Sequence, residues 1–260
     1  MALSFRRSEA LSRVDMPAAR AELFGVAELA RELDDTDLLV RATTLIASRP
    51  ESGSVDGQQV AVLRQALGTL HARALQDERY PLLQGLLAKS LLYDADPQER
   101  TQLARAALIE ARALPTAAQR AEVLTRCHEA LPGPEHQEER LAIATELMDL
   151  AVTTGDPVAL LSAHAAHVET CVERGDMDGV DSAVSSIDVL VERVREPFYR
   201  WYSRVVHAMR AFVRGELASS DRLLHEARDN SGAVSTELAE HIYRVQRKRH
   251  LAHARPGAGS

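Results

Sequence analysis

Apolar residues in this chain recur at intervals of three and four, as in LARELDDTDLLVRATTLI at 29–46 and LAIATELMDLAVTTGDPVALLSAHAAHV at 141–168, and almost nowhere alternate with polar ones. A period near 3.6 puts such residues on one side of an α-helix, whereas a half-buried strand needs a period of two. The spacing predicts an all-α chain. Helix breakers divide it at Pro17, SRPESGSVDG (48–57), DADP (94–97), Pro115, PGP (132–134), TGDP (154–157), RGDM (174–177), Pro197 and RGEL (214–217). They leave about eleven or twelve helices of ordinary length, joined by turns short enough to make neighbours antiparallel.

Helix pairs in series call for a test for repeats. A shift of forty residues lays Arg174, Gly175 and Asp176 on Arg214, Gly215 and Glu216. It also pairs Val180 with Ser220, Val184 with Leu224, Ile187 with Ala227 and, before the turn, His167 with His207. A turn glycine followed at five, nine and twelve by packing residues is similar to the tetratricopeptide pattern. Asp15, Phe24 and Ala27 place a further copy of that frame near the N-terminus, with Arg20 at the small-residue place. Each pair has an apolar side it cannot bury alone, so the expected architecture is an α-solenoid, a right-handed superhelix with a concave inner surface. One repeat domain is expected over 1–252, followed by a disordered tail at 253–260.

Three strings, AARAELFGVAELARELDDTDLLVRA, GPEHQEERLAIATELMDLAVTTGDPVAL and REPFYRWYSRVVHAMRAFVRGELASSDRLLHEA, carry a resemblance that runs from about Pro17 to Arg228. The chain resembles the tetratricopeptide-like helical region that follows the ATPase module in large LuxR-type transcriptional regulators and in ATPase-linked nucleotide cyclase proteins of GC-rich bacteria. The resemblance implies a sensing or scaffolding array and not a catalyst. No ATPase, cyclase or helix-turn-helix pattern accompanies it. GLLAKS at 85–90 has a lysine and a serine but no glycine before the lysine, and it lies within a helical pattern, so it is not a phosphate loop.

A net charge of −7 argues against a general nucleic-acid surface, which needs clustered positive charge. No apolar run reaches the ~20 residues of a membrane span. Two cysteines, Cys127 and Cys171, are too few for a disulfide framework, and MALSFRRSEALSR lacks the apolar run of a signal peptide, so a reducing cytoplasm is expected. Cys127 and His128 are adjacent, which predicts one buried and one exposed side chain. The basic run through Arg244, Arg247, Lys248 and Arg249 reads as the solvated face of a capping helix. The acidic turn RELDDTD at 31–37 reads as an inter-helix turn with an aspartate capping the next helix.

EPFYRWY at 196–202 holds four of the ten aromatic residues. Pro197 suits the first position of a helix. Phe198, Trp201, Tyr202, Val205, Met209 and Phe212 then share one stripe and read as core. Tyr199, Arg200, Arg204 and His207 lie off it, and arginines beside aromatic edges can hold a carboxylate by charge-assisted hydrogen bonds. With His167, these four are the candidate ligand- or partner-binding residues. His164, His167 and Cys171 share a helical face, but packing explains them better than zinc, and neither CxxC nor HExxH is present. No metal, cofactor or catalytic residue is expected.

The expected function is recognition of a protein partner, a peptide or a small ligand on the concave face, in bacterial transcriptional or signalling control. The rival is a small-molecule binding protein or enzyme of specialised metabolism on the same superhelix, with Tyr199, Arg204, His167 and His207 in its groove. A third reading makes the chain one part of a larger regulator.

Overall fold

The computed structural model describes residues 16–48, 54–73, 77–94, 96–194, 197–230 and 236–253. Twelve α-helices account for 85% of them, and the described residues include no strand. The tail expected at 253–260 lies, from residue 254 onward, outside the described residues. The chain divides into two compact units at His136 and Gln137.

The first unit holds α1 (Met16–Glu32), α2 (Thr36–Ala47), α3 (Gly57–Ala72), α4 (Tyr80–Ser90), α5 (Pro97–Ala111) and α6 (Ala117–Ala130), then a 3-10 turn at Pro134–His136. Short polar side chains start four of these helices. Asp35, Asp56, Asp96 and Thr116 each accept a backbone N–H that the first turn leaves unpaired, and Thr116 forms a capping box with Gln119. Asp35 is the cap expected within RELDDTD. Helix α4 is apolar almost all round, and every residue from Pro81 to Ser90 is buried. It approaches α6 closely at Gly85, where an added Cβ would stand 3.2 Å from Arg126 Cβ.

The two polar residues ending α4 are satisfied by pairing. Ser90 accepts from Gln59 Nε2 at 2.7 Å, and Lys89 Nζ lies 2.9 Å from Glu129 Oε2, which Arg126 also meets at 3.2 Å. Burial pushes the Glu129 carboxyl up, yet Lys89 and Arg126 together outweigh it and hold it below its ordinary value. The lysine of GLLAKS is thus engaged in an ion pair on a buried helix. Cys127 and His128 are both buried, against the expected division, because α6 packs on α4 along one side and α5 along another.

The second unit holds α7 (Gln137–Thr154), α8 (Pro157–Arg174), α9 (Met177–Val194), α10 (Pro197–Val213), α11 (Leu217–Asp229) and α12 (Thr236–His253), and each packs on the next. The forty-residue shift has a structural counterpart here. Gly175 and Gly215 both take the left-handed conformation, at φ 71° and 77°. Around the first, Asp176 N–H donates to Cys171 O and Gly175 N–H to Val172 O; around the second, Glu216 donates to Ala211 and Gly215 to Phe212. Both are Schellman turns, which glycine enters without a Cβ penalty. Val180, Val184, Ile187 and their partners Ser220, Leu224 and Ala227 are all buried.

A third copy of this turn ends α1. Asp35 N–H donates to Ala30 O and Asp34 N–H to Arg31 O, with Asp34 left-handed at φ 59°. Counting from Asp34, Leu39, Thr43 and Ile46 fall at five, nine and twelve, and all are buried. An aspartate stands where the other turns have glycine, which conceals the copy from a search keyed on glycine. The expected frame beginning at Asp15 starts outside the described residues, and its remaining positions fall within the single helix α1.

Candidate functional site

Helices α8, α10 and α12 lie side by side. Tyr199 Oη stands 2.5 Å from Ser162 Oγ, Tyr202 Oη donates to Ala165 O at 3.3 Å, and Gln246 Nε2 donates to Val205 O at 3.4 Å. Each contact skips one helix in the chain order. On α8, Val158, Ser162, Ala165, Glu169 and Val172 follow at spacings of four, three, four and three, which is one helical stripe. Forty residues on, Phe198, Tyr202, Val205, Met209 and Phe212 repeat it on α10, and Ile242 and Val245 take corresponding places on α12.

This three-helix face is apolar and open. Val158, Val172 and Val245 are 40%, 37% and 39% exposed, and the five α10 residues and Ile242 are half-buried. Of the six residues expected as core stripe, only Trp201 is buried; the others are shared between neighbouring helices and solvent. Phe198 gathers the rings at the start of α10, 5.2 Å from Tyr199, 5.9 Å from Trp201 and 6.3 Å from Tyr202 between centroids. The polar element of the face is anchored from behind. Arg140 on α7, almost fully buried, forks to Glu169 at 2.8 Å and Glu173 at 2.9 Å. Burial pushes the Tyr202 phenol well above its ordinary value, Glu169 and Tyr199 add to this, and Arg140 opposes it.

The residues grouped in sequence as one site are parted in the fold. Tyr199 turns toward α8, while His207 turns toward α9, its Nε2 2.9 Å from Asp188 Oδ2. Arg200 is exposed and Arg204 half-buried, and by helical register both fall nearer His207 than Tyr202. Neither has a hydrogen-bond or ion-pair partner among the described residues. His167 is on α8, with Nε2 3.5 Å from Cys171 Sγ.

A polar seam between α9 and α10 is what sequence reasoning missed. Arg210 grips Asp181 with two bonds of 2.6 and 2.5 Å, Arg214 adds a third at 2.8 Å, and Ser203 Oγ donates to Asp188 Oδ1 at 2.5 Å. The Arg210 hydrogen bonds hold the Asp181 carboxyl below its ordinary value. The signal was present as Ser203, His207, Arg210 and Arg214 on one side of α10 and Asp181 and Asp188 seven apart on α9. Only the antiparallel registration matches the two rows. Serine, histidine and aspartate meet here, but the hydroxyl bonds the carboxylate and not the imidazole, so the serine–histidine pair of an activated nucleophile is not formed.

Cys171 is no better placed for chemistry. Burial, then Asp176 at 3.8 Å, pushes its thiol up, away from the thiolate a nucleophile needs. Burial, then His167, lowers the tendency of His164 to take a proton. Among the described residues no cluster of three or more histidine, cysteine or carboxylate side chains could hold a metal ion, and no helix is long and apolar enough to cross a membrane.

No protein-family model matches the chain, and comparison with curated proteins finds no significant match.

Proposed function

We propose that the helix pairs of the second unit form a tetratricopeptide-like right-handed array whose α8–α10–α12 face binds a protein partner through an apolar segment. The observation that carries this is the repeated stripe: one spacing on successive alternate helices, aromatic and aliphatic throughout on α10 and apolar on α8 except at Ser162 and Glu169, with side chains that stay half-open to water. An exposed contiguous apolar face is costly for an isolated domain and marks an interaction site. Supporting the array are the matched turns at Gly175 and Gly215 and the hydrogen bonds that skip one helix. The partner offers one apolar side of a helix, since spacings of three and four complement that geometry. The role is recognition without catalysis, as a scaffold or sensor in bacterial transcriptional or signalling control within the cytoplasm.

Photo-crosslinking in the source cells tests this, with a benzophenone side chain placed at Phe198 or Phe212 and, as control, at Val189, which is 63% exposed on α9. The expected result is one discrete protein adduct from 198 and 212, absent from 189 and abolished by Val205→Glu. Equal labelling from all three sites, or none from the two on the stripe, defeats the reading.

A further inference from the structure

Helix α12 is held differently from the other helices of its unit. Among the described residues, the core around α8, α9 and α10 gathers ten buried apolar or cysteine side chains, whereas the cluster joining α12 to its neighbours consists of Ala208, Leu224 and Tyr243, with Leu223 partly buried beside them. Among the described residues Tyr243 is the one α12 side chain in that cluster, and it makes polar contacts as well. Its ring meets His225 edge-on at 5.3 Å and lies under the guanidinium groups of Arg228 at 4.6 Å and Arg247 at 5.5 Å.

While His225 is neutral, the hydrogen bonds through Tyr243 have only one possible direction. Arg247 can only donate, and its Nη1 donates to the Tyr243 oxygen. At the other end Asp221 O can only accept, so His225 Nδ1, 2.7 Å away, carries a proton. A neutral imidazole protonated at Nδ1 has a bare Nε2, which accepts from the Tyr243 hydroxyl at 3.0 Å. The chain runs Arg247 to Tyr243 to His225 to Asp221, and every donor has its acceptor. A second proton on His225 reverses the middle link. Nε2 becomes a donor, the phenol oxygen must then accept from two cations, and its own hydrogen has no place in the chain. The new charge also lies 3.4 Å from Arg247 Nη1.

We propose that this relay is a proton-sensitive latch: it fastens α12 to α11 while His225 is neutral, and protonation of His225 releases α12. The charged groups around the imidazole are few. On α11, Asp221 Oδ2 is 3.5 Å from Nδ1 and opposes release, and Arg228, held by Asp229 at 3.0 Å, favours it. On α12, Arg247 favours release. Helix α10, on the other side of α11, places no ionisable group in bonding contact with the imidazole among the described residues. The Asp221 carboxylate at 3.5 Å offsets the charge of Arg247 at 3.4 Å, so release rests on the reversed hydrogen bond at Tyr243, whose oxygen already accepts from Arg247. His207 serves as an internal contrast, since its Nε2 meets the Asp188 carboxylate and a proton there strengthens the contact between α9 and α10. Acid therefore loosens the last helix selectively. The latch goes beyond the proposed binding role and does not depend on it.

Two measurements on the full chain test the proposal. Imidazole nitrogen shifts at pH 8, with His225 assigned by its loss in His225→Gln, should report the Nδ1-protonated tautomer; the Nε2-protonated tautomer overturns the relay. Amide exchange, corrected for the intrinsic rate at each pH, should show protection of α12 relative to α8 falling by about tenfold between pH 8 and pH 5, the range in which histidine ordinarily titrates. In His225→Gln that dependence should vanish, and in Arg247→Met it should shrink. Parallel behaviour of α12 and α8 in the parent chain overturns the latch. So does an undiminished pH dependence in His225→Gln or, if that chain does not fold, in Arg247→Met.

Discussion

Trp201 and its neighbours on α10 show how little separates a core residue from a surface one in a helix packed on several sides. A helical stripe covers about a third of the circumference, but α10 is contacted by α8, α9, α11 and α12. Burial is set by where those neighbours stand. Trp201 is 5% exposed, and so is Val206, which the expected stripe omitted; Phe212 and Val205 on the stripe remain half-open. Trp201→Ala should lower unfolding stability by about 3–5 kcal/mol, the ordinary cost of emptying a large core site. Urea denaturation of the parent and variant decides it, and a shared midpoint would show that the ring stabilises nothing.

Among the elements, α4 and α6 approach each other closely at a glycine. A Cβ on Gly85 would press on Arg126 Cβ at 3.2 Å and Cys127 Sγ at 3.6 Å, whereas Gly25 in α1 has open space around it. Both are helical, so alanine or valine gains helix propensity at either place. Gly25→Ala should therefore stabilise the chain by roughly 0.5–1 kcal/mol. Gly85→Val should destabilise it by about 2 kcal/mol, because the branched carbons force α4 from α6. Thermal melts of the two variants should move in opposite directions; a rise in both would show that the Gly85 contact relaxes without cost.

At the scale of the molecule the described residues are helix and turn only, arranged in two compact units. Circular dichroism should give a strongly helical spectrum with no sheet component. A strand fraction near the ~20–25% of ordinary globular proteins would contradict the fold. Melting in the presence of a chelator should match melting without it, since no cluster of three or more histidine, cysteine or carboxylate side chains among the described residues could hold a metal ion; a lowered midpoint would reveal a structural metal.

Helix type, helix boundaries and turn chemistry were decided locally, and for that reason they were legible in the chain. A period of three and four, a proline at the start of α10 and a glycine after α8 each act within a few residues of themselves. The turn at Asp34 is the exception that shows the rule: its hydrogen bonds match those at Gly175, but aspartate enters the left-handed region by tolerating strain, so its letter does not announce the turn. The candidate site was legible only as a list. Tyr199 and His207 are eight residues apart on one helix, and the neighbours that claim them, α8 and α9, lie in different directions. Asp181 and Asp188 gained their partners only when α9 and α10 came into antiparallel registration. Periodicity records which side of a helix is apolar. Which neighbour covers that side, and how much of it stays open to water, depends on contacts between residues far apart in the chain, and those exist only in the folded molecule.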